Sequence, residues 1–293
     1  MKKVSYLELG GTLFVPASHA NLQNILDANK YPQLKSVVVD FEDGLDESEF
    51  KVSHERMEKI LRDINETSLL IFIRAKDRQH LAQLLKLKSI NNITGFVLAK
   101  FSLENAEKYL TLLKSTEYLL MPSIEGGELF NHQKLHELKE IILTNKHKIM
   151  LVRFGLEDML RQLSMRRKCD ESIFDISATS SVIGNFISTF KSAGFGVSGG
   201  VYPCYKDKDG FIKDVKCDLK EGLFSKTIIH PSQIALLDEV YKVSRKEYDE
   251  ALTILSSQKK VFTLNDKMAE TLTMFTHSQE LIQRAKIYGV SDE

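Results

Sequence analysis

At 293 residues the chain is long for one compact domain, yet within the range of a single α/β barrel. A composition of 43% hydrophobic and 27% charged residues supplies a sizeable core and excludes a disordered chain. Forty basic residues cancel forty acidic ones, so nothing overall favours nucleic acid or an anionic membrane, and any anion site must be local.

In chain order the strand candidates are "TLFVP" (12–16), "KSVVVDFE" (35–42), "SLLIFIRA" (68–75), "TGFVLAKF" (94–101), "EYLLMPSIE" (117–125), "KIMLVRFG" (148–155), "FGVSGGVYP" (195–203) and "KTIIHP" (226–231). Most are continuous apolar runs rather than alternating ones, the pattern of parallel strands covered on both faces. Amphipathic stretches such as "ESEFKVSHERMEKILRDI", "DRQHLAQLLKLKS" and "ENAEKYLTLLKS" lie between them. Ser48 marks a helix start, and Asp77 and Ser102 are placed to cap later helices. Eight strands, each followed by a helix, make the count of an α/β protein of the (β/α)8 TIM-barrel type over residues 1–243. Residues 244–293 form a C-terminal helical extension. A doubly wound open sheet is the competing topology, because counting strands does not close a barrel.

No apolar run reaches the length of a membrane-spanning helix. Three cysteines (Cys169, Cys204, Cys217), without metal-type spacing and with no signal peptide, predict reduced thiols in a cytoplasmic protein. The sequon "NET" at Asn65 has no meaning without secretion.

The polar groups gather at the C-terminal ends of the proposed strands: Asp40, Glu42 and Asp43, then Arg74, Lys100, Glu125, Asp158 and His230. In a barrel these ends converge on one mouth. A single acid at a strand end is usually a helix cap or a solvated loop residue. Glu125 and Asp158 together say more, since two hard oxygen donors suffice for Mg²⁺ when water and substrate complete its shell. Arg74, charged at any relevant pH, can clamp a carboxylate in a bidentate fork or pair with the "DFED" acids, and the two roles are compatible.

Other patterns fail on context. "GFGVSG" (194–199) spells GxGxxG but follows a helix and leads a strand, the reverse of the dinucleotide fingerprint. His132 and His136 sit four apart without the glutamate of a zinc-protease helix, and read as a solvated face. The cluster "MRRK" (165–168) is a phosphate candidate that reads more simply as solvated charge. Cys204 lacks a histidine neighbour in sequence and receives no catalytic role.

The ordered set "LFVPAS", "VVVDFEDGL", "FIRA", "VLAK", "MPSIE", "FGLEDML" and "KTIIHPSQI" resembles the citrate lyase β-subunit-like branch of the HpcH/HpaI aldolase superfamily, from Leu13 to about Ala251. The stretches "QLSMRRK", "FKSAGFGVSGGVYP" and "DLKEGLFSKTIIHP" look closer to a subgroup often encoded in tellurite- and stress-resistance gene clusters. The resemblance implies a (β/α)8 barrel, a homo-oligomer with a trimer favoured, and one Mg²⁺ at the mouth. It places the metal ligands on Glu125 and Asp158, and a substrate-contacting arginine on Arg74. The acidic signature falls on Asp40 to Asp43, where the position of Asp43 is a histidine proposed for proton transfer in related aldolases. Gly10 and Ala99 depart from the family's usual arginine and proline, although Lys100 remains, and "VYPCYKDKDGF" does not match a CoA-binding signature.

The implied activity is a carbon–carbon lyase of aldolase type. Its substrate is a 2-oxo or 3-hydroxy acid, or its CoA thioester, cleaved through a metal-stabilised enolate. Arg74 and Lys100 are the expected substrate-binding cations, and Asp43 or Glu42 the base, if burial or a neighbouring acid raises its pKa. A thioester hydrolase on the same site, or a ligand-binding regulatory protein with little turnover, are the alternatives. No nucleic acid or membrane partner is expected.

Overall fold

The apolar runs become the strands β1 (Thr12–Pro16), β2 (Ser36–Asp40), β3 (Leu70–Arg74), β4 (Gly95–Leu98), β5 (Leu119–Ile124), β6 (Arg153–Phe154) and β7 (Thr227–Ile228) in a computed structural model of the chain. The structure describes residues 4–64 and 67–292, so the sequon at Asn65 lies outside the described residues. The strands pair in parallel in the order β6-β5-β4-β3-β2-β1-β7. All five residues of β2 are buried, as its unbroken apolar run predicts for a strand covered on both faces.

The seventh expected strand takes a different form. Residues 196–199 make no ladder long enough to count as a strand, but they are bonded on both sides. Val152 N donates to Gly196 O (2.9 Å) and Ser198 N to Val152 O (3.1 Å). On the other side Phe224 N donates to Val197 O (3.0 Å) and Thr227 N to Gly199 O (3.2 Å). This glycine-rich rung joins β6 to β7 and completes the ring, which excludes the open-sheet alternative. Gly199 is required by close approach, because a Cβ there would run into the carboxylate of Asp218.

The helices α1 (Leu22–Leu26), α2 (Phe50–Asp63), α3 (Arg78–Leu84), α4 (Ala106–Leu113), α5 (His132–Leu143), α6 (Leu156–Gln162), α7 (Ser177–Lys191) and α8 (Lys208–Lys220) alternate with these strands. α2 buries Ser53, Met57, Ile60 and Leu61, the one-sided spacing of an amphipathic helix. Asp77 caps α3 by accepting from His80 N (2.8 Å). Ser102 does not cap a helix: α4 starts only at Ala106, and the Ser102 N–H instead donates to Asn105 Oδ1 (3.0 Å).

At the end where the strands begin, a 3-10 turn (Tyr6–Leu9) closed by a Ser5–Glu8 capping box fills the barrel. It packs Leu9 among Val38, Phe72, Val97, Met121, Met150 and Leu151. Each such side chain contributes about 1.5–3 kcal/mol by burial, so this end is core and only the opposite end is free to hold a site.

Two sequence readings are corrected here. Cys169 and Cys204 form a disulfide with Cα atoms 5.9 Å apart, so these two are not the reduced thiols expected. Their separation of 35 positions conceals the pairing in sequence; of the three cysteines, only Cys217 is free. Arg167 of "MRRK" is neither solvated nor a phosphate ligand. It is buried, donates to Asp214 Oδ1 (2.9 Å), and belongs to a network in which Lys226 pairs with Asp214 (2.6 Å) and Asp218 (2.7 Å). Two cations balance two carboxylates there, which makes burial tolerable.

The chain divides into two compact units after Ile234, within α9 (Ser232–Val240), where the sequence reading set the boundary at 243/244. The second unit packs α10 (Arg245–Ser256) on α11 (Thr271–Tyr288) around Val243, Ala251, Leu281 and Ala285. Short strands β8 (Val243–Ser244) and β11 (Val290–Ser291) pair in parallel beside them. The unit is not purely helical, because β9 (Val261–Leu264) and β10 (Lys267–Glu270) form a hairpin. Its turn, Asn265–Asp266, has φ of 49° and 59°, a conformation these two residue types tolerate best after glycine. No helix among the described residues is long and apolar enough to cross a membrane.

Candidate active site

The parallel register sets Asp40 at the end of β2 directly opposite Arg74 at the end of β3. Arg74 therefore reaches Asp40 with a two-pronged fork, Nε to Oδ1 and Nη2 to Oδ2, both 2.7 Å. Asp40 also accepts from Glu42 N (3.0 Å) and Gly44 N (3.1 Å), which curls the "DFEDG" loop over the strand end. The third Arg74 nitrogen, Nη1, lies 3.0 Å from Glu42 Oε2 and 3.3 Å from Asp43 Oδ2. Burial opposes the charge on Arg74, but Asp40 first, then Glu42 and Asp43, hold its pKa above the ordinary arginine value. Arg74 is thus ion-paired with the acidic loop, as one of its sequence readings has it, and it also lines the cavity.

Lys100 follows β4 and has a left-handed backbone, φ 49°, uncommon for a residue with a side chain. That turn points its N–H at Glu125 Oε1, while Asn105 Nδ2 donates to its carbonyl (2.8 Å). Its ammonium group pairs with Glu42 and lies 3.6 Å from Asp43 Oδ1, so it reaches the acids at the rim. Glu42 and Asp43 are thereby driven apart. Glu42 is raised by burial and by its hydrogen bond with Asp43, against the pull of Arg74 and Lys100. Burial also opposes ionisation of Asp43, but the bond from Glu42, with Arg74 and Lys100, brings it below the usual aspartate value. The Asp43 side chain is 56% exposed and faces the cavity, whereas that of Glu42 is 5% exposed, behind it.

Glu125 follows β5 and Asp158 lies in the first turn of α6, the short helix that follows β6. Gln162 Nε2 ties the two segments by donating to Glu125 O (2.6 Å) and Asp158 O (3.1 Å). Gly155 makes the approach possible, because a side chain there would overlap Glu125. Burial pushes the Glu125 carboxyl up to about 8, helped by Asp158 and Glu42 and opposed by the Lys100 N–H. Asp158 is also paired with Arg161. Two close carboxylates, one of them deeply buried, form a hard-oxygen donor pair that a small divalent cation fits. No cluster of three or more such donors occurs among the described residues.

These groups line one cavity of about 640 Å³ at the mouth, walled by Phe14, Val97, Phe154, Leu156, Val201 and Ile229. Asp40, Asp43, Arg74, Glu125 and Asp158 are brought together there; Glu42, buried, and Lys100, exposed, lie outside its lining. His230 is elsewhere, stacked on Tyr205 with ring centres 4.5 Å apart. Of the two arginines that line the cavity, Arg153 of β6 escaped the sequence reading. Its signal is a lone arginine inside the apolar run "IMLVRF".

A family described as C-C bond lyase of the TIM-barrel fold matches residues 3–290. The (3S)-malyl-CoA thioesterase of Cereibacter sphaeroides is 25% identical over 146 residues, 47% of this chain and 50% of that protein. Citrate lyase subunit beta of Escherichia coli K12 is 25% identical over 149 residues, 48% of this chain and 47% of its own. The chain thus spans about half the length of the curated relatives it matches. Among solved structures, the protein CitE of Mycobacterium tuberculosis, in complex with magnesium, acetoacetate and coenzyme A, superposes with a TM-score of 0.69. That likeness covers 96% of this chain and 99% of CitE at 18% identity, and it speaks to the fold.

Proposed function

The chain belongs to the C–C bond lyase family of the TIM-barrel fold, and from that premise we propose a Mg²⁺-dependent carbon–carbon lyase of aldolase type. Its substrate is a short 2-oxo or 3-hydroxy acid, free or as its CoA thioester. The observation that carries this is the pair of buried Glu125 and half-buried Asp158 in one cavity with Arg74. CitE, solved with magnesium, a 3-oxo acid and CoA, and the malyl-CoA and citrate enzymes among the relatives support the same chemistry.

Glu125 and Asp158 hold the cation, whose contribution when bound is to stabilise negative charge on a substrate oxygen. Arg74, kept protonated by Asp40, orients the substrate carboxylate with the N–H group of Nη2 that its own ion pairs leave over. Of this hydrogen-bonded pair Glu42 holds its proton more tightly, and Asp43, ionised and facing the cavity, takes the hydroxyl proton of the substrate. Lys100 offsets the charge of these two acids as the acidic substrate arrives. The assembly proposed is a homo-oligomer, with a trimer favoured.

A Mg²⁺-dependent turnover screen tests this. Small 2-oxo and 3-hydroxy acids and their CoA thioesters are supplied, and release of pyruvate, oxaloacetate, glyoxylate, acetyl-CoA or free CoA is followed. Carbon–carbon cleavage that is lost in Asp158→Asn is the expected result. Release of free CoA alone would favour a thioesterase, the reading the Cereibacter sphaeroides relative supports. Tight binding of metal and oxo acid without turnover would indicate a binding protein.

A further inference from the structure

Arg153 is the one cation of the cavity that the site as described does not use. Its side chain comes from β6, opposite Ser123 of β5, one inward-facing layer beneath Glu125 and Gly155. Two residues along a strand is about 7 Å, so its backbone lies that far below the Glu125 layer, toward the barrel interior. The residue is only 3% exposed. Its nitrogens find weak partners: Nε donates to Met121 Sδ (3.2 Å) and Nη1 to Thr227 Oγ1 (3.0 Å). Nη2 is buried and, among the described residues, has no hydrogen-bond partner.

The charge is as poorly answered as the donors. Arg74 has three carboxylates around it, whereas the charged group acting on Arg153 is Arg74 itself, of like sign. Both guanidinium groups lie over the Phe14 ring, 5.3 Å and 5.2 Å from its centre, which helps hold them but supplies no counter-anion. Burial, and then Arg74, push Arg153 down to about 9, which leaves it protonated at neutral pH. A buried, charged and unpaired guanidinium is costly unless something completes it. The buried ion network of Arg167, Asp214, Lys226 and Asp218 shows this same chain balancing charge where no ligand is needed.

We propose that Arg153 seats a second acid group of the substrate, a terminal carboxylate directed down the barrel from the metal-ligand layer. The cavity is then built for a short 2-oxo dicarboxylate in preference to a monocarboxylate. Arg74 and the cation engage the 2-oxo acid end, while Arg153 and the Thr227 hydroxyl receive the far carboxylate. This rests on reading the cavity as a substrate site, but not on the bond that is broken there.

The test compares matched probes that differ only in the far carboxylate: oxaloacetate against 2-oxobutanoate, and 2-oxoglutarate against 2-oxopentanoate. Binding is measured by calorimetry on the full chain, with Mg²⁺ and with EDTA. At least one diacid should bind roughly tenfold or more tighter than its monoacid partner, the effect of a charge-assisted hydrogen bond. Arg153→Met should remove that preference, and Arg153→Lys should restore part of it. Equal affinity within both pairs in the unmodified protein, or no binding of either diacid, would overturn the proposal without any variant being needed. A preference that survives in Arg153→Met would do the same. Binding that is Arg153-dependent but indifferent to Mg²⁺ would sustain this inference and count against the metal assignment instead.

Discussion

Glu125 and Asp158 stand on different segments, and neither would be a metal ligand alone; their meaning lies in being tied together by Gln162 and admitted by Gly155. Replacing either carboxylate by its amide, Glu125→Gln or Asp158→Asn, removes a hard charged donor with almost no change of volume. Mg²⁺ affinity should fall by more than about tenfold in calorimetry, with circular dichroism unchanged. Undiminished binding in both variants would remove the metal seat from these residues. Arg74 calls for a gentler substitution, because Arg74→Ala would strand Asp40 as a buried charge and cost about 3–5 kcal/mol of stability. Arg74→Lys keeps the charge and loses the fork. It should lower kcat/KM for an oxo acid by about 1–3 kcal/mol of transition-state stabilisation, while Mg²⁺ affinity stays the same. Loss of metal binding in that variant would show that Arg74 works by organising the acids and not by holding substrate. Asp43→Asn should reduce turnover by about 10²–10⁴ if Asp43 takes the proton, and full activity would pass that role to another group.

The loops that present these residues are held by packing one layer further out. Phe41, between Asp40 and Glu42, meets the ring of His80 at 4.7 Å, and Phe50 of α2 meets the same ring at 4.7 Å. His80 Nδ1 accepts from Lys76 N (3.2 Å), so its proton is on Nε2, aimed at His54 Nδ1 (3.0 Å). Burial, then His54, lower His80 from 6.5 to about 4, with Lys76 adding to this and Asp77 opposing it. The folded state thus disfavours protonated His80, and its contribution to stability is complete above pH 6.5 and lost as pH falls toward 4. Between pH 7 and 5 the loss amounts to about 2 kcal/mol. Urea unfolding of wild type and His80→Asn at the two pH values should show a shallower pH dependence in the variant, and equal slopes would refute the linkage. The seventh rung of the barrel makes a second test at this scale. Gly199→Ala forces a methyl group onto the Asp218 carboxylate and disturbs the Lys226 pair. A loss of about 1–3 kcal/mol from overpacking is expected, read as a lower unfolding temperature.

Across the whole chain, the disulfide between Cys169 and Cys204 closes a loop spanning 35 residues. Chain-entropy arguments assign such a closure about 3–4 kcal/mol. Dithiothreitol should lower the unfolding temperature of the wild type and leave that of Cys204→Ser unmoved, and an equal response of both would show that the crosslink does not constrain the unfolded chain. The oligomer is open to light scattering at micromolar concentration, where a trimer is expected and a monomer alone would discard it. Forty positive against forty negative residues leave no net charge to steer a partner, so recognition of the acidic substrate proposed above would have to come from the few cations inside the cavity.

Much of this could be read before any coordinates. Continuous Val-, Ile- and Leu-rich runs at regular intervals predict parallel strands buried on both faces, and the order of seven short motifs points to the family and to Arg74, Glu125 and Asp158. Local signals of this kind survive in one dimension because strand burial and helix capping depend on neighbours a few residues away. What depends on separation did not survive. The glycine-rich rung is held by bonds to Val152, Phe224 and Thr227, the disulfide by a partner 35 residues off, and the buried Arg167 by Asp214. Arg153 makes the same point at the site itself. An arginine in an apolar strand is visible in the sequence, but whether it has a counter-anion is a property of the space around it. Only closing the barrel shows that this charge is buried beneath the proposed metal ligands with Arg74, a like charge, as its charged neighbour.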